Sequence, residues 1–107
     1  MQESEFNQNI DETLYAIEEA IDDAGVDIDY DTISGILTLE FADQSKIIIN
    51  RQSALSQLWL AAKSGGFHLD YVDGDWFCKT EDCSLSELLN RVCTEQARQE
   101  INLLISV

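Results

Sequence analysis

At 107 residues, 45% of them apolar, the chain can bury one hydrophobic core but not two, so a single domain over 1–107 is expected. The net charge is −15 and unevenly placed: the first 45 residues hold 13 acids and no lysine or arginine, the remaining 62 hold 8 acids and 6 bases. A field this negative excludes nucleic acid and anionic membrane surfaces as partners and favours cations and basic protein surfaces. No apolar run is long enough to span a bilayer, and "MQESEFNQN" lacks the basic start and apolar stretch of an export signal, so a cytoplasmic location is expected.

In chain order, Phe6, Ile10, Leu14, Ile17, Ile21 and Ala24 recur at steps of three and four, which predicts an amphipathic helix with its acids facing water. Ser4 is the expected cap at its start, and Gly25 ends it in the left-handed conformation. "VDIDYD" then alternates strictly, Val26, Ile28 and Tyr30 against Asp27, Asp29 and Asp31, the pattern of a half-buried strand. "GILTLEFA" makes a second strand with Leu37, Leu39 and Phe41 on one face, "ADQSK" a turn, and "KIIIN" a third strand.

"SQLWLAA" is compatible with a short strand or with helix, "SGG" at 64–66 is a break, and "FHLDYV", "VDGD" and "DWFCK" form a hairpin. Ser84 stands three residues before Glu87, a capping-box pattern, and Leu85, Leu88, Leu89, Val92 and Cys93 supply the apolar face of a second helix. "INLLISV" is too apolar for a loose tail and should pack against the helices. Strands joined by short turns must be mainly antiparallel, so the expected fold is α+β: a two-layer sandwich in which the two helices cover one face of a five- or six-stranded sheet.

Catalytic motifs are absent. The one histidine, His68, lies in a strand, no nucleophile elbow surrounds a serine or cysteine, and "SGG" is not a phosphate loop, so the chain is not expected to be an enzyme. The three cysteines, Cys78, Cys83 and Cys93, are expected to be reduced thiols without a metal or redox motif.

The informative stretch is "YAIEEAIDDAGVDIDYD", residues 15–31, with seven carboxylates and no base. Glu18–Asp22 and Glu19–Asp23 are like-charge pairs one helical turn apart, and acids near a helix C-terminus oppose its dipole, so the arrangement is unfavourable twice over. An EF-hand register fails: counted from Asp27, the glycine position is Thr32 and the bidentate glutamate position is Thr38. Two readings stand: several shallow sites for hard cations, each of one to three carboxylates and water, or a merely solvated acidic face. A second candidate surface follows from alternation in residues 57–61. If Leu58 and Leu60 point to the core, Gln57, Trp59 and Ala61 point outward, and a tryptophan near Asn50 and Arg51 is suited to an interface.

Five stretches, "SEF" at 4–6, "IEEAIDD" at 17–23, "LTLEFADQSKIIINRQ" at 37–52, "QLWLAAKSGGFH" at 57–68 and "DWFC" at 75–78, closely resemble the frataxin family, specifically its bacterial form. The resemblance runs over nearly the whole chain, and the block from "SKIIINRQ" to "SGGFH" is its most specific part. It implies weak binding of Fe²⁺ and Fe³⁺, with other divalent or trivalent cations competing, through Glu18, Glu19, Asp22, Asp23, Asp27, Asp29 and Asp31. It implies a regulatory role in iron–sulfur cluster assembly, with a cysteine desulfurase and its scaffold protein as partners docking on Asn50, Arg51, Gln57 and Trp59. A monomer that can associate with metal is expected. The alternative is an acidic interaction module that docks on a basic partner without physiological metal. An iron-storing oligomer is less well supported, since no Glu-x-x-His signature is present. The turn "AGV" at 24–26 is shorter and less acidic than is usual in the family, and Gln44 stands where its turn often has glycine.

Overall fold

A computed structural model describes residues 1–105. Helix α1 spans Glu3–Ala24 and buries Phe6, Ile10, Thr13, Leu14, Ile17, Ala20 and Ile21. This is the stripe read from the sequence with two changes: Ala24 is exposed and Ala20 takes the core position, and Thr13 is buried as well. Ser4 is not the cap: it lies inside the first turn, and Gln2 precedes the helix without a side-chain cap. Glu3 and Glu5 in that turn instead complement the helix dipole. Gly25 closes α1 at φ 63, the left-handed turn that glycine adopts without a Cβ clash.

Seven strands follow: β1 Ile28–Ile33, β2 Ile36–Phe41, β3 Lys46–Gln52, β4 Gln57–Ala62, β5 Gly65–Val72, β6 Asp75–Cys78 and β7 Cys83–Ser84. They form one sheet in sequence order, each neighbour antiparallel. The expected five or six strands become seven because β7 is only two residues long, too short for any periodicity to register. The break at "SGG" is narrower than expected: Lys63 and Ser64 make the turn, while Gly65 and Gly66 already pair with Ala62 and Ala61. In the turn after β2, Gln44 takes φ 71, the conformation for which glycine is the unstrained choice. "SQLWLAA" resolves to a strand.

Helix α2 spans Leu85–Ala97, and the Ser84 hydroxyl accepts the Glu87 N–H at 3.2 Å, as the capping pattern requires. Both helices and the inward strand residues share one core. At its centre the fully buried Trp76 meets Phe6 and Tyr71 edge-on, and its indole N–H donates to Thr13 Oγ1 at 3.0 Å. Thr13 Oγ1 in turn donates to the Asn9 carbonyl at 2.7 Å, so the buried polar atoms are paired. Gln96, also buried, ties α2 to two turns: it accepts from Lys63 N at 2.9 Å and donates to Ser45 Oγ at 3.0 Å. The final segment packs as expected, with Ile101 and Leu103 buried against the core; residues 106–107 lie outside the described residues.

Candidate metal centre and docking face

The acidic segment divides into two groups on opposite sides of the sheet. Alternation turns Ile28 and Tyr30 of β1 toward the helices and Asp29 and Asp31 toward the open face. On the helix side, the Tyr30 hydroxyl donates to Asp22 Oδ2 at 2.8 Å, and the Thr32 hydroxyl donates to Glu18 Oε2. Two of the four helix acids are thus held by β1. Both neighbouring phenols feel these charges: the Tyr30 pKa is raised chiefly by its hydrogen bond to Asp22, and that of Tyr15 chiefly by the charge of Glu19. Asp23 and Asp27 are exposed, and Asp27 lies in the bend before β1, not in the strand as the alternation suggested.

On the open face, Asp29 stands directly opposite Glu40 of β2, which is itself opposite Lys46 of β3, and Asp31 is opposite Thr38. Glu40 is therefore an acid of this cluster that the sequence reading missed; its outward position was legible, its juxtaposition with Asp29 was not. Among the described residues none of the seven carboxylates is in a salt bridge, and no three His, Cys, Asp or Glu side chains converge to hold an ion between them. Shallow sites completed by water are what such geometry can offer.

Unrelieved repulsion has a measurable consequence. Raising salt from about 10 mM to 1 M shortens the Debye length from roughly 30 to 3 Å. The melting temperature is expected to rise by several degrees over that range, read by circular dichroism. A flat profile would mean the acids are not electrostatically strained.

Trp59 lies on the open face, as expected, with Leu58 and Leu60 buried on the other. It is half-covered by its neighbours. His68 stacks on it at 4.4 Å with 12° between the rings, and its indole N–H donates to Gln57 Oε1 at 3.0 Å. Gln57 Nε2 donates to Asp70 Oδ1 at 3.1 Å, and Lys79 stands 3.7 Å from the other oxygen of Asp70. This chain of contacts fixes the indole edge. His68 and Asp70 were not singled out for this surface from the sequence, because cross-strand pairing put them there. Asn50 is directly opposite Trp59 and shares its face.

Arg51 corrects the sequence expectation. It follows Asn50 along β3, so it projects to the other face, beside Leu58 in register. Its guanidinium donates to Asn7 at 2.9 Å and to Asp11 at 2.6 Å on α1, and packs against Gly35. It joins sheet to helix and does not stand beside Trp59.

A seven-stranded antiparallel meander with two helices on one face, an acidic helix end and a tryptophan-centred open face defines a small α+β domain of the two-layer sandwich class. The chain belongs to the frataxin family: the frataxin-like domain model matches residues 1–99. It is 48% identical over 102 residues to the iron–sulfur cluster assembly protein CyaY of Vibrio cholerae, covering 95% of this chain and 98% of that one. Identity to the CyaY of Vibrio vulnificus is 45% over the same length. Among solved structures, frataxin from Psychromonas ingrahamii superposes with a TM-score of 0.89 at 38% identity, covering 95% of this chain and 97% of that one. Trimeric frataxin from Saccharomyces cerevisiae, complexed with ferrous iron, gives 0.67 at 27% identity and covers 91% of this chain and 86% of that one.

Proposed function

We propose that this chain is a non-enzymatic, iron-responsive regulator of iron–sulfur cluster assembly that acts in the cytoplasm. Glu18, Glu19, Asp22, Asp23, Asp27, Asp29 and Asp31 take up Fe²⁺ or Fe³⁺ weakly, and other divalent or trivalent cations compete. The open face at Asn50, Gln57 and Trp59, with His68 beside them, docks on a cysteine desulfurase and its scaffold. The observation that carries this reading is a set of seven carboxylates without a salt-bridge partner among the described residues, on a fold whose relatives bear the name of cluster assembly proteins. The yeast relative complexed with ferrous iron supports the choice of metal. The free chain is a monomer in this reading, and metal promotes association.

An anaerobic Fe²⁺ titration of isotope-labelled chain tests it. Amide signals of residues 15–31 are expected to broaden or shift at sub-millimolar metal, while those of α2 stay unchanged. Silence in that segment removes the metal from the reading. What is left then is an acidic module that recognises a basic partner directly. One observation favours that second reading: Glu18 and Asp22 already accept hydrogen bonds from Thr32 and Tyr30.

A further inference from the structure

The fold brings together two cysteines whose spacing in the sequence signals nothing. β6 and β7 are joined by Lys79–Asp82, and their register sets Cys78 directly opposite Cys83. Directly opposed residues of an antiparallel pair have Cα atoms about 4.5–5.5 Å apart and project to the same face. That separation lies inside the roughly 4.4–6.8 Å window of a disulfide. Both are free thiols here, Cys78 buried and Cys83 half-exposed. The third cysteine is placed differently: Cys93 is enclosed in α2 against the core, and burial pushes its thiol up to about 12.

We propose that Cys78 and Cys83 form a reversible disulfide that clamps the β6–β7 hairpin. The half-exposed thiol meets the oxidant and the buried one resolves it. A peroxide converts the Cys83 thiol to a sulfenic acid, its O–O bond taking two electrons and leaving as water. Cys78 sulfur then attacks Cys83 sulfur; the S–S bond forms, the S–O bond breaks, and the hydroxide departs with the Cys78 proton as a second water. An external dithiol reverses the process. Burial, and then the neighbouring Cys78, raise the Cys83 pKa, so the pair reacts slowly, under sustained oxidant and not as a rapid sensor. The clamp lies on the same sheet as Trp59, two strands away, and immediately before α2.

Tryptic digestion tests this cleanly, because Lys79, Arg91 and Lys63 place the three cysteines in separate peptides, 64–79, 80–91 and 92–98. After treatment of the folded chain with hydrogen peroxide and blocking of free thiols, peptide 64–79 should be found joined to 80–91 and released by dithiothreitol. The free thiols should fall from three to one per chain. The oxidised chain should melt higher, by on the order of 10 °C, and Cys83→Ser should lose both effects. Linkage to 92–98, joining only between chains, or over-oxidised Cys83 without a linked peptide would overturn the proposal. An unchanged melting temperature in the linked chain would overturn the clamp.

Discussion

Removal of residues 101–107 is expected to lower the melting temperature by at least 10 °C, and Leu103→Ala alone to cost about 2–5 kcal/mol. Ile101 and Leu103 are 3% and 1% exposed, on a core that they share with Leu88, Leu89 and Val92 of α2. Two polar clasps hold the segment in place. The Asn90 side chain donates to the Leu103 carbonyl at 3.1 Å and accepts the Leu103 N–H at 2.6 Å. Thr94 Oγ1 accepts the Ile101 N–H at 3.0 Å. Truncation uncovers apolar surface and leaves Asn90 and Thr94 without these partners. A domain of this size has only about 5–15 kcal/mol of stability in all, so the single substitution removes a large share of it. Thermal denaturation of the truncated chain and of Leu103→Ala decides the matter. An unchanged midpoint in the truncated chain would mean the segment adds nothing to the core.

Trp59→Ala is expected to weaken binding to a cysteine desulfurase by at least 2 kcal/mol, roughly 30-fold in Kd. Its large aromatic surface lies on an open sheet face, and Gln57 together with the His68 stack hold it in one orientation before any partner arrives. Pre-organisation of that kind lowers the entropy lost on binding. Stability should fall by only about 1–3 kcal/mol, because Trp59 is outside the core and loses its stacking on His68 and its hydrogen bond to Gln57. Isothermal titration with the wild type and the variant gives the difference directly. Unchanged affinity would place the docking surface elsewhere. Replacing Glu18, Glu19, Asp22 and Asp23 with alanine completes the comparison. If that variant loses both iron and desulfurase while Trp59→Ala loses only the desulfurase, ridge and face have separate roles.

Much of the architecture was legible in the residues themselves. The helix stripe, the Gly25 stop, the Ser84–Glu87 cap and the in-out alternation of Leu58, Trp59 and Leu60 are local patterns. Each follows from a period of 3.6 or 2 and from the few residues that tolerate a cap or turn. The crowding of seven carboxylates between 15 and 31 is equally a property of the chain alone, and so is the failure of an EF-hand register. Local reasoning went astray at Ser4, where nothing in the sequence distinguishes the last coil residue from the first helical one.

What the tertiary structure decided was which residues stand beside which. Pairing of β1 with β2 set Glu40 against Asp29, pairing of β4 with β5 stacked His68 on Trp59, and pairing of β6 with β7 set Cys78 opposite Cys83. Packing of α1 on the sheet drew Arg51 to Asn7 and Asp11, more than forty positions away in the case of Asn7, and took it from the face where it was expected. It also divided one acidic stretch between the helix side and the open face. The physical reason is common to all of these. A strand's alternation says which side a residue faces, but register is fixed by the whole buried face and by the turns at once, and a shift of one residue would exchange every neighbour.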